Sequence, residues 1–176
     1  MGIRSFIKSL GGSKPSKKKA SNADAMRELR VMMLKTPPAE MGFQPSEEFP
    51  HVFAVLMDWP VELAIATVRG DCSGGASLYT TGTFGIIGGE GHERVRQAAK
   101  SFVRVGERFC ERAVATTDFN YPNKENIRFY LVCFDGVRII ETNAANLAAK
   151  GGEFLDLYIE GQKLLAELRM VSPLKA

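Results

Sequence analysis

Short links between strand-like segments constrain the fold of this chain more than any other feature. Two apolar segments, 52–58 and 62–69, are separated only by a turn around Pro60, and a second turn, GDCSGG, leads to a third segment, ASLYTTGTFGIIGG. Further along, Asp135-Gly136 separates IRFYLVCF from VRIIET, and this dipeptide is a strong two-residue hairpin signal. Strands joined by so few residues pair antiparallel, so the pattern predicts a sheet that is mostly antiparallel.

Three segments with helical periodicity surround these strands. Helices are predicted at about 21–35, 92–113 and 152–170. The element order is therefore helix, three strands, helix, two strands, helix. This order predicts an α+β fold, a single compact domain with a five-stranded sheet and helices packed on it. It lacks the alternation of strands and crossover helices that Rossmann and P-loop folds require.

The length of 176 residues suits one such domain, which we place at 21–172, after a basic tail at 1–20. Residues 1–19 hold six Lys and Arg side chains and no acid, which leaves 17 basic against 20 acidic side chains in the rest of the chain. The net charge of +3 therefore comes from the tail. Because the rest of the chain is net acidic, nucleic acid is not an expected partner.

Apolar residues in the tail recur with the spacing of one helical face, ahead of a lysine cluster. A short basic amphipathic helix is typical of segments that lie on an anionic membrane surface. Two other interpretations stay open, because an organelle transit peptide has the same composition and a short solvated terminus can show this spacing by chance. The residues predicted to contact a membrane are Ile3, Arg4, Phe6, Ile7, Lys8, Leu10, Lys17, Lys18 and Lys19.

Few side chains have the identity and spacing of a chemical site. Three cysteines without a CxxC pair, Cys72, Cys110 and Cys133, predict buried reduced thiols, and the two histidines lack Cys or His neighbours at metal-ligand spacing. Asp58 and Asp71 are placed at strand ends, where they suit turns. We recognise no nucleophile with a matching base. The sequence therefore predicts no metal, no cofactor and no catalytic residue.

The stretch FGIIGGEGHERVRQAAKSF, residues 84–102, runs from a strand through four glycines into the long helix. Its glycines have neither the spacing and lysine of a P-loop nor the pattern of a dinucleotide fingerprint. A carboxylate at Glu90 would also compete with a phosphate for the helix N-terminus. We favour a structural corner, and the alternative is a small-ligand or nucleotide-binding enzyme that uses 85–93. The candidate ligand-binding residues are Gly88, Gly89, Glu90, Gly91 and His92.

Four blocks of the sequence carry a family resemblance: FAVLMDW, SLYTTGTFGIIGGEGHERVRQAAKSF, RFYLVCFDGVRIIET and YIEGQKLLAELR. They resemble a family of small bacterial proteins of uncharacterised function, and SLY…GIIGG…HExVR is the most specific part. The resemblance covers about 26–168, implies no activity and assigns no catalytic residue. In element order alone, the domain is also similar to roadblock, longin and profilin domains, which mostly act as adaptors, regulators or dimerising platforms.

These observations lead to one function hypothesis. We expect a non-enzymatic adaptor or protein-interaction domain of the cytoplasm, which the basic tail brings to the inner face of the membrane. The expected partner is another protein, or a second copy of the chain in a homodimer. The outer face of the 92–113 helix carries five arginines and a lysine. Such a charged face is usually just the solvated side of a helix, and the alternative interpretation is a surface that docks an acidic partner.

Overall fold

The computed structural model describes residues 22–82, 84–149 and 151–172. The nine tail residues predicted to contact a membrane lie outside these ranges. The strands are β1 (Val52–Val61), β2 (Ala64–Asp71), β3 (Ala76–Thr80), β4 (Gly85–Ile87), β5 (Val114–Ala115), β6 (Asn126–Cys133) and β7 (Gly136–Asn143). The helices are α1 (Asn22–Lys35), α2 (Glu93–Glu107), α3 (Ala144–Ala148) and α4 (Leu155–Val171), with 3₁₀ turns at Pro38–Met41 and Cys110–Arg112.

All of these strands belong to one antiparallel sheet with the order β4-β3-β2-β1-β6-β7-β5. The described chain is a single α+β domain, a seven-stranded antiparallel sheet with four helices packed on it. The predicted fold class is confirmed, but the predicted number of five strands is wrong. The two additional strands, β4 and β5, are edge strands of only three and two residues. Strands this short leave no clear alternation in the sequence, and they expose little unpaired backbone at the sheet edges.

The third predicted strand is in fact a hairpin. β3 ends at Thr80 and β4 begins at Gly85, so the chain reverses within the segment that was predicted to be one strand. The Thr80 hydroxyl donates a hydrogen bond to the Phe84 carbonyl oxygen across this turn. A Cβ atom at Gly85 would collide with the sulfur of Met26 on α1, so glycine at this position lets α1 approach the sheet edge.

β1 extends beyond the predicted end and includes Pro60. Pro60 lies opposite Ile65 on β2, and the turn consists of Glu62 and Leu63, with Glu62 at a φ of 47°. β6 pairs with β1 only as far as Asp58. Within the described residues no strand lies on that side of Pro60, so a residue without an amide hydrogen is tolerated there.

Helices and loops cover both faces of the sheet, and β1 is buried on both. One face packs against α2 and α4 and includes Val55 and Met57. The opposite face packs against α1 and includes Phe53, Leu56 and, from α1, Met33. This two-sided burial explains the nearly continuous apolar run HVFAVLMDW, because a strand covered on both faces needs apolar residues at successive positions.

Two helical glycines bring α2 and α4 close to the sheet. A Cβ atom at Gly106, near the end of α2, would lie 2.5 Å from Cγ2 of Val55. A Cβ atom at Gly161 of α4 would lie 2.8 Å from Cε of Met57. The middle helix ends earlier than predicted, at Glu107 instead of about Ala113, and continues as a 3₁₀ turn.

Candidate functional site

The glycine-rich corner joins β4 to α2 beside the C-terminal end of α4. It contains a shallow hollow of about 300 Å³. Four of the five predicted ligand-binding residues come together in its lining, whereas the fifth, Glu90, does not line it. The lining residues are Ile86, Ile87, Gly88, Gly89, Gly91, His92, Val171 and Ser172.

Two of these glycines have a structural reason to be glycine. Gly88 has a φ of 81°, in the left-handed region that favours glycine. A Cβ atom at Gly89 would lie 2.6 Å from Cγ1 of Val95 and 3.1 Å from Cδ2 of Leu168, so glycine lets α2 and α4 pack against the corner. A Cβ atom at Gly91, in contrast, would have no heavy atom of another part of the chain within 4 Å. The glycines at 88 and 89 are therefore explained by backbone conformation and helix packing.

The positive N-terminal end of α2 is neutralised by side chains of the chain itself. His92 is the N-cap residue, and its side chain makes no capping hydrogen bond. Glu93 accepts a hydrogen bond from Gln97 at 2.7 Å and pairs with Arg96, and these hydrogen bonds lower the pKa of the Glu93 carboxyl. Arg96 also donates to the Glu90 carbonyl oxygen at 2.8 Å. A phosphate here would meet a carboxylate at the positive end of the helix, and nucleotide binding stays a prediction.

The five arginines of the basic outer face of α2 and its following turn are paired with acids of the same domain. Ion pairs connect α2 and the turn that follows it to α4 and to neighbouring loops. Exposed pairs of this kind contribute at most about 1 kcal/mol each, but they lower the free positive charge of the face. They therefore count against the use of this face for docking an acidic partner. The pairs are Arg94–Glu167, Arg96–Glu93, Arg104–Glu48, Arg108–Asp156 and Arg112–Glu153.

A buried charged cluster lies on the α1 face of the sheet. The prediction that Asp58 ends a strand is wrong, because Asp58 lies inside β1 with 0% of its surface exposed, and Arg30 of α1 is 1% exposed. Arg30 Nε donates to the two Asp58 carboxylate oxygens at 3.1 and 3.3 Å, and its Nη1 donates to the Phe119 carbonyl oxygen at 2.8 Å. The Thr67 hydroxyl donates a further hydrogen bond to Asp58. Asp71, in contrast, ends β2 and accepts backbone hydrogen bonds of the following turn, as predicted.

The buried pair is fully satisfied and joins α1, β1, β2 and the loop before β6. Burial raises the pKa of the Asp58 carboxyl, and Arg30 and Thr67 oppose that rise. The ring centres of Tyr121 and Tyr130 lie 4.2 and 5.2 Å from the guanidinium carbon. These contacts hold α1 against the sheet. One signal in the sequence could have revealed the pair. Arg30 follows Met26 by four residues, so this charged side chain lies on the apolar face of α1.

The three cysteines are free thiols, two of them buried and Cys72 half-buried. The sulfur atoms of Cys110 and Cys133 lie 3.7 Å apart. Burial, together with the neighbouring Cys110, raises the pKa of the Cys133 thiol to about 12. A thiol with such a pKa stays protonated near neutral pH and is a poor nucleophile. The geometry therefore favours a packing role for this pair.

An open cleft lies between α4 and the end of the sheet where β1 extends beyond β6, with a volume of about 510 Å³. We call it the Trp59 cleft, since Trp59 is the only tryptophan in the chain. Sequence patterns do not reveal it, because its residues come from β1, β2, β3, the following turn and α4. Its lining residues are Trp59, Val61, Ala66, Leu78, Thr80, Phe84, Gln162, Leu165 and Arg169.

Two properties of the described ranges bear on other classes of site. No group of three or more His, Cys, Asp or Glu side chains within 22–82, 84–149 and 151–172 is placed to hold a metal ion. None of the helices in this part of the chain has the length and apolar character that crossing a bilayer requires.

Comparisons of the chain with protein-family profiles, curated proteins and solved structures give no significant match. The family resemblance of the four sequence blocks therefore stays a prediction.

Proposed function

We propose that this chain is a non-enzymatic interaction domain that residues 1–19 recruit to an anionic membrane surface on the cytoplasmic side. The observation that carries the proposal is the separation of charge along the chain. The tail has six cationic side chains and no acid, whereas the rest of the chain has 17 basic and 20 acidic side chains. An anionic surface attracts the tail and repels the rest of the chain.

The ion pairs of α2 support the same conclusion. The predicted basic face lies on α2 and its following turn, and its five arginines pair with carboxylates of the same domain. This surface offers little free positive charge to a membrane or to an acidic partner. In the proposed function the tail supplies membrane affinity, and the domain binds another protein or a second copy of the chain.

A vesicle-binding experiment tests the role of the tail. Full-length protein is sedimented with vesicles of phosphatidylserine and phosphatidylcholine at about 0.1 M salt, where attraction to the surface is only partly screened. Each basic residue near an anionic surface contributes about 1 kcal/mol. Replacing Lys17, Lys18 and Lys19 by glutamine should therefore weaken binding by about 3 kcal/mol, or roughly 100-fold.

A control variant removes the same charge from the domain. Arg104, Arg108 and Arg112, which pair with Glu48, Asp156 and Glu153, are replaced by glutamine. We expect this variant to bind vesicles nearly as well as the unchanged protein. Equal losses in the two variants would show that net charge alone matters, and undiminished binding of the tail variant would remove the tail from the mechanism. Pure phosphatidylcholine vesicles should bind neither form appreciably.

A further inference from the structure

The Trp59 cleft has the lining of a site for an amphiphile. Its floor is formed by apolar side chains of β1, β2 and β3, including Trp59, Val61, Ala66 and Leu78. No carboxylate is among the lining residues. The volume of about 510 Å³ lies within the range of small-molecule sites, about 300–1,000 Å³. A ligand that fills this floor needs an apolar body.

One cation stands on the α4 side of the cleft. Gln162, Leu165 and Arg169 follow one another at the spacing of a single helix face. Arg169 is exposed, and within the described ranges it has no ion-pair partner, unlike the five paired arginines of α2 and its following turn. Lys163, the next cation on α4, does not line the cleft and pairs with Glu160 at 2.7 Å. The cleft is therefore apolar along its floor and positive at one rim.

We propose that the Trp59 cleft binds a medium-chain fatty acid, with the acyl chain along the floor and the carboxylate at Arg169. A guanidinium fork matches the two oxygens of a carboxylate, and the Gln162 amide offers a further donor. Contact of the chain with Trp59 and Leu78 removes apolar surface from water. The basic tail is a poorer occupant, because Arg169 repels its lysines and no lining carboxylate would pair with them. This site does not depend on the tail or on membrane binding.

Trp59 provides a direct readout, because it is the only tryptophan and lies in the cleft. Full-length protein without vesicles is titrated with dodecanoate below its micelle concentration, and we expect a saturable change in tryptophan emission. Two additional methylene groups should strengthen binding about tenfold from decanoate to dodecanoate, since each buried methylene contributes to transfer from water. This dependence on chain length tests the role of the apolar floor.

Two variants on α4 test the role of the charge. Arg169→Gln should bind dodecanoate about tenfold more weakly and leave the binding of 1-dodecanol unchanged. Lys163→Gln removes the same charge from the same helix outside the cleft, and it should bind dodecanoate like the unchanged protein. Both side chains are exposed, so both variants are expected to fold.

Several results would overturn this proposal. They are a response that does not saturate, equal dodecanoate affinity in Arg169→Gln, or equal binding of dodecyltrimethylammonium. A change in ligand-free Trp59 emission on replacing Phe6 and Ile7 by serine would assign the cleft to the tail instead. Emission that depends on protein concentration would assign it to a second copy of the chain. None of these results affects the vesicle experiment, because no vesicle is present and Arg169 lies outside the tail.

Discussion

Replacing Gly89 by alanine tests whether the glycine-rich corner is a packing device. A Cβ atom there would lie 2.6 Å from Cγ1 of Val95 and 3.1 Å from Cδ2 of Leu168. Carbon atoms in contact are normally about 3.5–4.0 Å apart, so the new methyl group would overlap Val95 by about 1 Å. Val95 and Leu168 are both 0% exposed, and a valine in a helix has little rotamer freedom. Overpacking of this kind costs about 1–3 kcal/mol.

The assay is thermal unfolding followed by circular dichroism. For a chain of this length each kcal/mol changes Tm by about 2–4 °C, so Gly89→Ala should lower Tm by about 2–12 °C. Gly91→Ala is the matched control, because nothing lies within 4 Å of its added methyl group. We expect its stability to change by no more than about 0.5 kcal/mol. Equal effects of the two substitutions, or an unchanged Tm for Gly89→Ala, would refute the packing argument.

Two further predictions concern buried groups. Arg30→Met leaves Asp58 buried without its cation, so we expect urea denaturation to show a loss of about 3–5 kcal/mol. Adding Asp58→Leu should recover most of that loss, and a double variant no more stable than the single one would contradict this account. At pH 8, iodoacetamide should label Cys72 but not Cys110 or Cys133, because both thiols are buried and the pKa of Cys133 is about 12. Intact-mass measurement should show one adduct in native protein and three in urea, and rapid native labelling at all three would contradict the prediction.

Local patterns predicted the elements better than their ends. The Asp135-Gly136 signal predicted the β6–β7 hairpin, although the turn residues are Phe134 and Asp135 and Gly136 already belongs to β7. Pro60 was a misleading turn signal, because its effect depends on whether a strand lies beside it, and β6 ends its pairing at Asp58. Such boundaries depend on neighbouring strands, which sequence windows do not contain.

In the candidate site, too, the sequence revealed local features but not the contacts between residues that are distant in the chain. Four residues of the glycine-rich corner line one hollow because they are near neighbours in the chain, and their binding of a ligand stays a prediction. It could not show that Gly89 packs against Leu168, which is distant along the chain. The arginines of α2 were visible as a charged face, but their neutralisation by acids of α4 and of loops was not.

Patterns in the sequence are enough to establish the antiparallel α+β class and the separation of charge between tail and domain. Both follow from local properties, the length of the links between strands and the order of charged residues. The burial of Arg30 against Asp58 and the Trp59 cleft become visible only in the folded protein. These features join residues that are far apart in the chain, and their chemistry depends on burial and distance, which exist only after the helices have packed on the sheet.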